Sequence, residues 1–447
     1  MLRHLAFAAL CLTVAGCSDG SSSDGAGGSA GASGSGASGT GASGGAAGSG
    51  GSAGSGAAGS GGAGGAVSPD KLPLLAVTDL EYQGALRLPS AEFGVSSLNF
   101  SEGPLVYNPK NDSIFIVGHD HQQAIAEFKL PALKNSTTLS DLNMAAPPMQ
   151  SFVTVLDRVS ANPQAIDQIS GLALFDGPGG QELLVHAYEY YDAPADNTHT
   201  TLVLRDASDL AGSSVDGFYA FGGAAHAAGW VSPVPSVWQS LLGGTTITGA
   251  SSGVPIIGRL SVGPSAFIFD PADVIGSATP GSVATTALLD FSLAKPLHDD
   301  LSNDTKTNDL WTHLSRANYG FVAPGTRSYV TLGSSGGHKT GVCYKCTPTG
   351  ASQACGGYCS NDTSDNSNYY WFWDVNDLVK VKDGQLDASA VRPHAHGEFA
   401  TPFSGEIGGG SFDPASGLLY LTLQGADTEQ GQYANPPVVV AYKIKSK

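Results

Sequence analysis

From about residue 80 onward, short apolar runs alternate with clusters of Gly, Pro, Asn and Asp, and no long stretch keeps the 3.6-residue period of a helix. Brief runs rich in β-branched and aromatic residues, bounded by turn formers, predict strands. The runs recur in a fixed order. Gly103–Pro109 turns at Lys110–Asp112 into Ser113–Val117, and Ile125–Phe128 comes next. Gly171–Phe175 turns into Glu182–Val185 before Thr201–Leu204. Gly320–Val322 turns into Arg327–Val330 before Trp371–Trp373, and Gly410–Pro414 into Leu418–Thr422 before Val438–Tyr442. Gly263–Pro271 reads as the first strand of a further copy. Such meanders predict an all-β chain folded as a β-propeller, with a pair of two-sheet sandwiches as the alternative. Dividing residues 68–447 by about 50 per blade, with allowance for insertions, predicts seven blades. Tyr82–Leu88 is placed to close the ring beside the last blade.

The first 67 residues have other patterns. Residues 1–17 read as a secretory signal: Arg3 supplies the positive end and Leu5–Val14 the apolar run. Val14-Ala15-Gly16-Cys17 has the form of a bacterial lipoprotein signal, in which the Cys17 thiol is acylated and becomes the new N-terminus. An ordinary signal peptide with a chance Cys is the competing reading. Several acyl chains anchor stably where one is marginal. Residues 18–67 hold 21 Gly among 50 positions, the rest mostly Ser and Ala. This composition predicts a flexible tether reaching roughly 40 Å. Together these features predict an outer-membrane lipid anchor, with the domain exposed to the periplasm or the cell surface. Ser18, rather than Asp, after the Cys favours the outer membrane.

The whole chain carries a formal charge of -18. Removing Arg3 from the 21 basic residues and Asp19 and Asp24 from the 39 acidic ones leaves 20 against 37, so the domain itself carries -17. That balance opposes a phosphate backbone and excludes nucleic acid as a partner. No later segment has the roughly 18 consecutive apolar residues of a membrane-spanning helix. Cys343, Cys346, Cys355 and Cys359 fall in a Gly-, Ser- and Asn-rich insertion at 334–368. Export favours two disulfides among them, with three connectivities open, over a zinc knuckle.

The candidate chemistry comes from the repeat register. The loop leaving each second strand is polar: His119, Asp120 and His121; then Tyr188, Glu189, Tyr190, Asp192 and His199; then Ser334, Ser335 and His338; then Gln424 and Asp427. Glu102, Gln168, Arg259, Asn318 and Glu406 sit near the starts of first strands. In a propeller these two sets share one end of the ring, opposite the Asn108-Pro109 and Asp413-Pro414 turns. His119, His121, Tyr188, Tyr190, His199, Arg259 and His338 are therefore the candidate binding or catalytic residues. His119-Asp-His121 has metal-site spacing on a strand, but a lone H-x-H is weak, and no metal or other cofactor is expected. Tyr369–Trp373 reads as core or as a sugar-stacking platform. Arg259 and Arg316 suit a carboxylate clamp or a local ion pair. Gly333-Ser-Ser-Gly-Gly337 spells G-x-S-x-G around Ser335 but lacks the strand–elbow–helix context of a hydrolase nucleophile.

The stretches NPKNDSIFIVGHD, AYEYYD with the later His199, WQSLLGG, IIGRLSVGPSAFIFDP, GTRSYVTLGSSGGHKTGVCY, FWDVNDLVKVKDG and GGGSFDPASGLLYLT resemble a family of secreted bacterial β-propeller proteins. The resemblance runs from about residue 80 to 445; it implies the fold and export, and supplies no activity. Two function classes remain. One is a monomeric, surface-displayed module that binds a glycan or a protein. The other is an extracellular polysaccharide lyase or hydrolase, with Tyr190 or His121 as base and Arg259 facing the carboxylate.

Overall fold

The computed structural model describes residues 67–159, 161–162, 164–192, 196–251, 261–276, 279–342 and 362–445. Cys17, most of the tether, Arg259 and the four insertion cysteines lie outside the described residues.

An N-terminal strand, β1 (Leu80–Arg87), precedes the first complete meander. Blade one is β2 (Leu105–Asn108), β3 (Ser113–Val117), β4 (Ala124–Lys129) and β5 (Gln150–Thr154). Blade two is β6 (Gln168–Gly177), β7 (Gly180–Tyr188), β8 (His199–Leu204) and β9 (Val215–Phe221). Blade three is β10 (Trp230–Pro233), β11 (Thr246–Gly249), β12 (Ala266–Phe269) and β14 (Thr285–Leu289); the short β13 (Ser282–Val283) pairs in parallel with β9 at the edge of blade two. Blade four is β15 (Arg316–Val322), β16 (Ser328–Ser335), β17 (Ser367–Asp374) and β18 (Ala395–Glu398). Blade five is β19 (Ile407–Asp413), β20 (Leu418–Leu423) and β21 (Val438–Ile444), completed by β1, which pairs antiparallel with β21.

Among the described residues the propeller thus has five blades, where the length arithmetic gives seven. Long connections before β15 and between β16 and β17 inflate the residues per blade, so an average blade length overcounts. The run Gly263–Pro271 also changes place. It contains β12, the third strand of blade three, whose first two strands are the short Trp230–Pro233 and Thr246–Gly249.

Five inner strands make a tight ring. A Cβ on Gly171 would fall 1.8 Å from the Gly229 carbonyl oxygen, and one on Gly408 would fall 1.9 Å from that of Glu102. Only glycine permits such backbone approach. The inner strands would otherwise leave polar edges unpaired, and neighbouring blades satisfy them. Gln123 Oε1 accepts from the Ile169 N–H at 2.8 Å, Ser170 Oγ donates to Ala228 O at 2.6 Å, and Ser251 Oγ accepts from the Ala317 N–H at 2.7 Å. Asn318 Nδ2 donates to Ile407 O at 2.6 Å, and Ser411 Oγ accepts from the Tyr107 N–H at 3.0 Å, so the contacts run right round the ring. Apolar side chains fill the spaces between blades; Phe221 of β9 and Phe269 of β12 pack at 5.0 Å and are buried.

The closing strand is pinned at its end. Arg87 on β1 donates through Nε and Nη2 to the buried Asp427 carboxylate at 2.7 and 2.8 Å. Burial alone would raise the Asp427 pKa; hydrogen bonds from Arg87 and Gln430 outweigh it and hold the group below its ordinary value.

Candidate functional site

Three segments meet at the end of the ring opposite the Asn108-Pro109 and Asp413-Pro414 turns: residues 100–102 before β2, the turn 118–123 between β3 and β4, and the loop 424–435 after β20. Hydrogen bonds within the first two fix their shape. Ser101 Oγ donates to Val117 O at 2.6 Å, Asp120 N–H reaches Phe100 O at 3.2 Å, and Gln122 and Gln123 N–H groups turn back onto His119 O. Gln123 holds a positive φ of 47° in that turn and donates from its side chain to Gln168 Oε1 at 2.6 Å, tying blade one to blade two.

The result is an open cavity of about 560 Å³ walled by Phe100, Ser101, Glu102, His119, Asp120, His121, Gln424, Gly425 and Asn435. Phe100 is 56% exposed and sits at φ 56°, a conformation unusual for an aromatic residue. Its ring lies 5.5 Å from that of His119, which lies 5.1 Å from His121. Across the cavity, Gln424 Nε2 donates to Glu102 O at 3.1 Å. Asn435 Oδ1 is buried and has no hydrogen-bond partner among the described residues.

Charge is concentrated deeper in the funnel. Arg316, at the start of β15, pairs with Glu102 at 3.1 Å, both side chains about one-third exposed. Its pKa is raised first by Glu102, against the effect of burial, with Tyr188 and Glu406 adding to the rise. Glu406 accepts from Ser334 Oγ at 3.0 Å. Burial raises the Asp120 pKa, Glu102 adds to it, and His121, His119 and Arg316 offset part. The arrangement offers one carboxylate ion-paired with Arg316 and a second that takes up a proton more readily than an ordinary aspartate.

The sequence-derived candidates are divided by the structure. His119 and His121 line the cavity, and Tyr188 lies beside Arg316 in a narrow recess below it. The H-x-H pair sits in a turn rather than on a strand, and His119 Nδ1 accepts from the His121 N–H at 3.1 Å. Among the described residues no group of three His, Cys, Asp or Glu side chains is placed to hold a metal ion. Tyr190 is exposed in the loop after β7, and its N–H bonds Asp167 Oδ1 at 2.7 Å. His199 opens β8 beside Thr198, with Nδ1 at 3.0 Å from Thr198 Oγ1. His338 bridges Ser335 Oγ at 2.6 Å and Asn308 O at 2.8 Å and stacks on Tyr369, the arrangement of a structural histidine. His121, Tyr190, His199 and His338 thus share an end of the ring but not one funnel.

Tyr369, Trp371 and Trp373 are core: Trp371 Nε1 donates to Leu310 O and Trp373 Nε1 to Thr331 Oγ1. The exposed ring at the cavity is instead Phe100, which the strand patterns pass over. Its signal is an aromatic residue isolated among the polar and glycine positions of Asn99–Gly103. Asn435 carries no local signal, because its place depends on how the loop after β20 returns.

No family model matches the chain, and no curated protein is found similar to it. Among solved structures it is similar to the α-L-arabinofuranosidase PaAbf62A from Podospora anserina in complex with cellotriose, at 10% identity and TM-score 0.33, over 83% of this chain and 98% of that one. It is also similar to the catalytic domain of a Coprinopsis cinerea GH62 α-L-arabinofuranosidase, at 11% identity and TM-score 0.35, over 81% and 98%. A third likeness is to RAG in complex with one melted and one unmelted RSS, at 9% identity and TM-score 0.30, over 81% and 83%.

Proposed function

We propose that this protein binds carbohydrate in the funnel walled by residues 100–102, 119–121 and 424–435. The observation that carries the reading is an exposed Phe100 ring standing over a cavity whose other walls are carboxylates, amides and imidazoles. A sugar presents an apolar ring face and a rim of hydroxyls, and this site offers a partner for each. A glycan array probed with the full chain, then calorimetry on the strongest hit, tests the reading. Phe100→Ala and Asp120→Asn are expected to weaken binding tenfold or more; unchanged binding by both refutes the site.

Glycoside hydrolysis is the second reading, favoured by the inequivalence of Glu102 and Asp120. A carboxyl group with a raised pKa beside an ion-paired carboxylate is the pairing that acid catalysis at a glycosidic bond uses. Release of reducing ends from the bound glycan, lost in Asp120→Asn, distinguishes catalysis from binding. The proposal extends to attachment at the outer membrane through acylated Cys17, with the domain held away from the bilayer. Radiolabelled palmitate incorporation, absent in Cys17→Ala, checks that part.

A further inference from the structure

At the other end of the ring, inside the Asn108-Pro109 and Asp413-Pro414 turns, lies a second cavity of about 310 Å³ to which all five blades contribute. Its walls include Tyr107, Phe175, Val231, Ser232, Tyr319 and Phe412. Aromatic packing holds them rigid: Tyr107 stacks on Tyr420 at 4.9 Å, and Phe412 stacks on Phe321 at 4.8 Å. Tyr319 Oη accepts from the Phe412 N–H at 2.7 Å. Ser232 is only 2% exposed, and its hydroxyl has no hydrogen-bond partner among the described residues. A buried hydroxyl without a partner is costly and uncommon.

We propose that this cavity is a binding site for a neutral, planar aromatic molecule carrying one N–H or O–H group. The volume lies at the lower bound of small-molecule sites, roughly 300 Å³, which suits one or two fused rings and not a peptide. Flat aromatic walls favour a flat guest. Ser232 Oγ has almost no accessible surface, so the guest is taken up with a turn of that side chain about χ1, which brings the hydroxyl to the guest's single donor. Carboxylates near the mouth disfavour an anion, and neither is free for a cation. Asp413 accepts from the Ala415 and Ser416 N–H groups and from Ser416 Oγ, while Asp176 is paired with Lys110 at 2.8 Å. A water molecule would satisfy Ser232 but leave the apolar walls wet, so a guest that replaces it gains on both counts.

Indole is the probe, titrated into the full chain by calorimetry and by thermal shift. Saturable one-site binding and a raised melting temperature are expected. Ser232→Ala should weaken binding at least fivefold while leaving the ligand-free protein folded. Val106→Phe, which narrows the cavity from its partly exposed wall, should abolish binding; if that variant fails to fold, Ser232→Ala decides. Phe100→Ala, at the opposite mouth, should leave indole affinity unchanged. No saturation, full affinity in Ser232→Ala, loss in Phe100→Ala, or equal binding of the non-planar cyclohexanol would each overturn the proposal.

Discussion

The two mouths of the channel are built on the same five inner strands and differ in the connections that leave those strands. At one end the strands continue into loops carrying Glu102, Asp120, His119, Gln424 and Asn435, and the side chains hold one another by ion pair and hydrogen bond. At the other they end in tight turns capped by Asn108 and Asp413, and aromatic stacking shapes the space. The scaffold sets where a site is; turn length sets its chemistry. Tight turns leave no loop to carry charge inward, so Asp176 and Asp413 stay at the rim and mainly aromatic and aliphatic side chains wall the second cavity.

The comparison breaks most completely at the ring both mouths share. Gly171→Val places side-chain atoms on the Gly229 carbonyl and is expected to cost about 4 kcal/mol or more, seen as lost soluble expression or a collapsed urea midpoint. Phe412→Ala should cost about 3 kcal/mol in urea unfolding by emptying the stacked wall of the apolar mouth, with glycan binding at the polar mouth untouched. Arg316→Leu leaves Glu102 unpaired; because the pair is partly solvated, the expected cost is only about 1–2 kcal/mol. The same change removes a cation that lowers the Asp120 pKa, so any limb of a pH profile set by Asp120 should move to higher pH. Smallest is Ser232→Ala, expected to stabilise the free protein by about 0.5–1 kcal/mol through loss of an unsatisfied hydroxyl.

Asp120 also gives the polar mouth a pH signature that the apolar one lacks. A carboxyl whose native pKa is raised binds more protons folded than unfolded around that pKa. Its contribution to stability therefore falls as pH rises from below the ordinary aspartate value through the raised one. Asp120→Asn should flatten that part of the stability curve, measured by urea midpoints between pH 4 and 7.

Much of this architecture is legible in the sequence. Four meanders, their turns and the closing strand emerge from alternating apolar runs broken by Asn-Pro, Asp-Pro and Gly turns. Blade three is obscured because Trp230–Pro233 and Thr246–Gly249 are too short to stand out and the only strong run is the third strand. The blade number is a property of ring closure, set by how closely backbones such as those of Gly171 and Gly229 approach, and no local pattern encodes it. At the polar mouth, His119, His121 and Tyr188 are reached from register alone. Phe100 and Asn435 are not, since long loops bring them in. The same limit separates His338 from the funnel: its partners Ser335 and Asn308 are visible only in three dimensions.

Pairing Leu80 with Ile444 joins positions at opposite ends of the folded chain. During synthesis the last blade has no fourth strand until the earliest-made segment returns to it, so blades one to four must wait as an open arc with an exposed edge. Contacts so distant in sequence are slow to form, and the open arc is the aggregation-prone stage. Arg87 and Asp427 latch the far end of that last strand, and the segment before it is fastened to blade four, with Leu75 N–H on Ser328 Oγ and Arg327 N–H on Pro73 O, so a pull from the N-terminal side meets those bonds before it reaches the β1–β21 ladder.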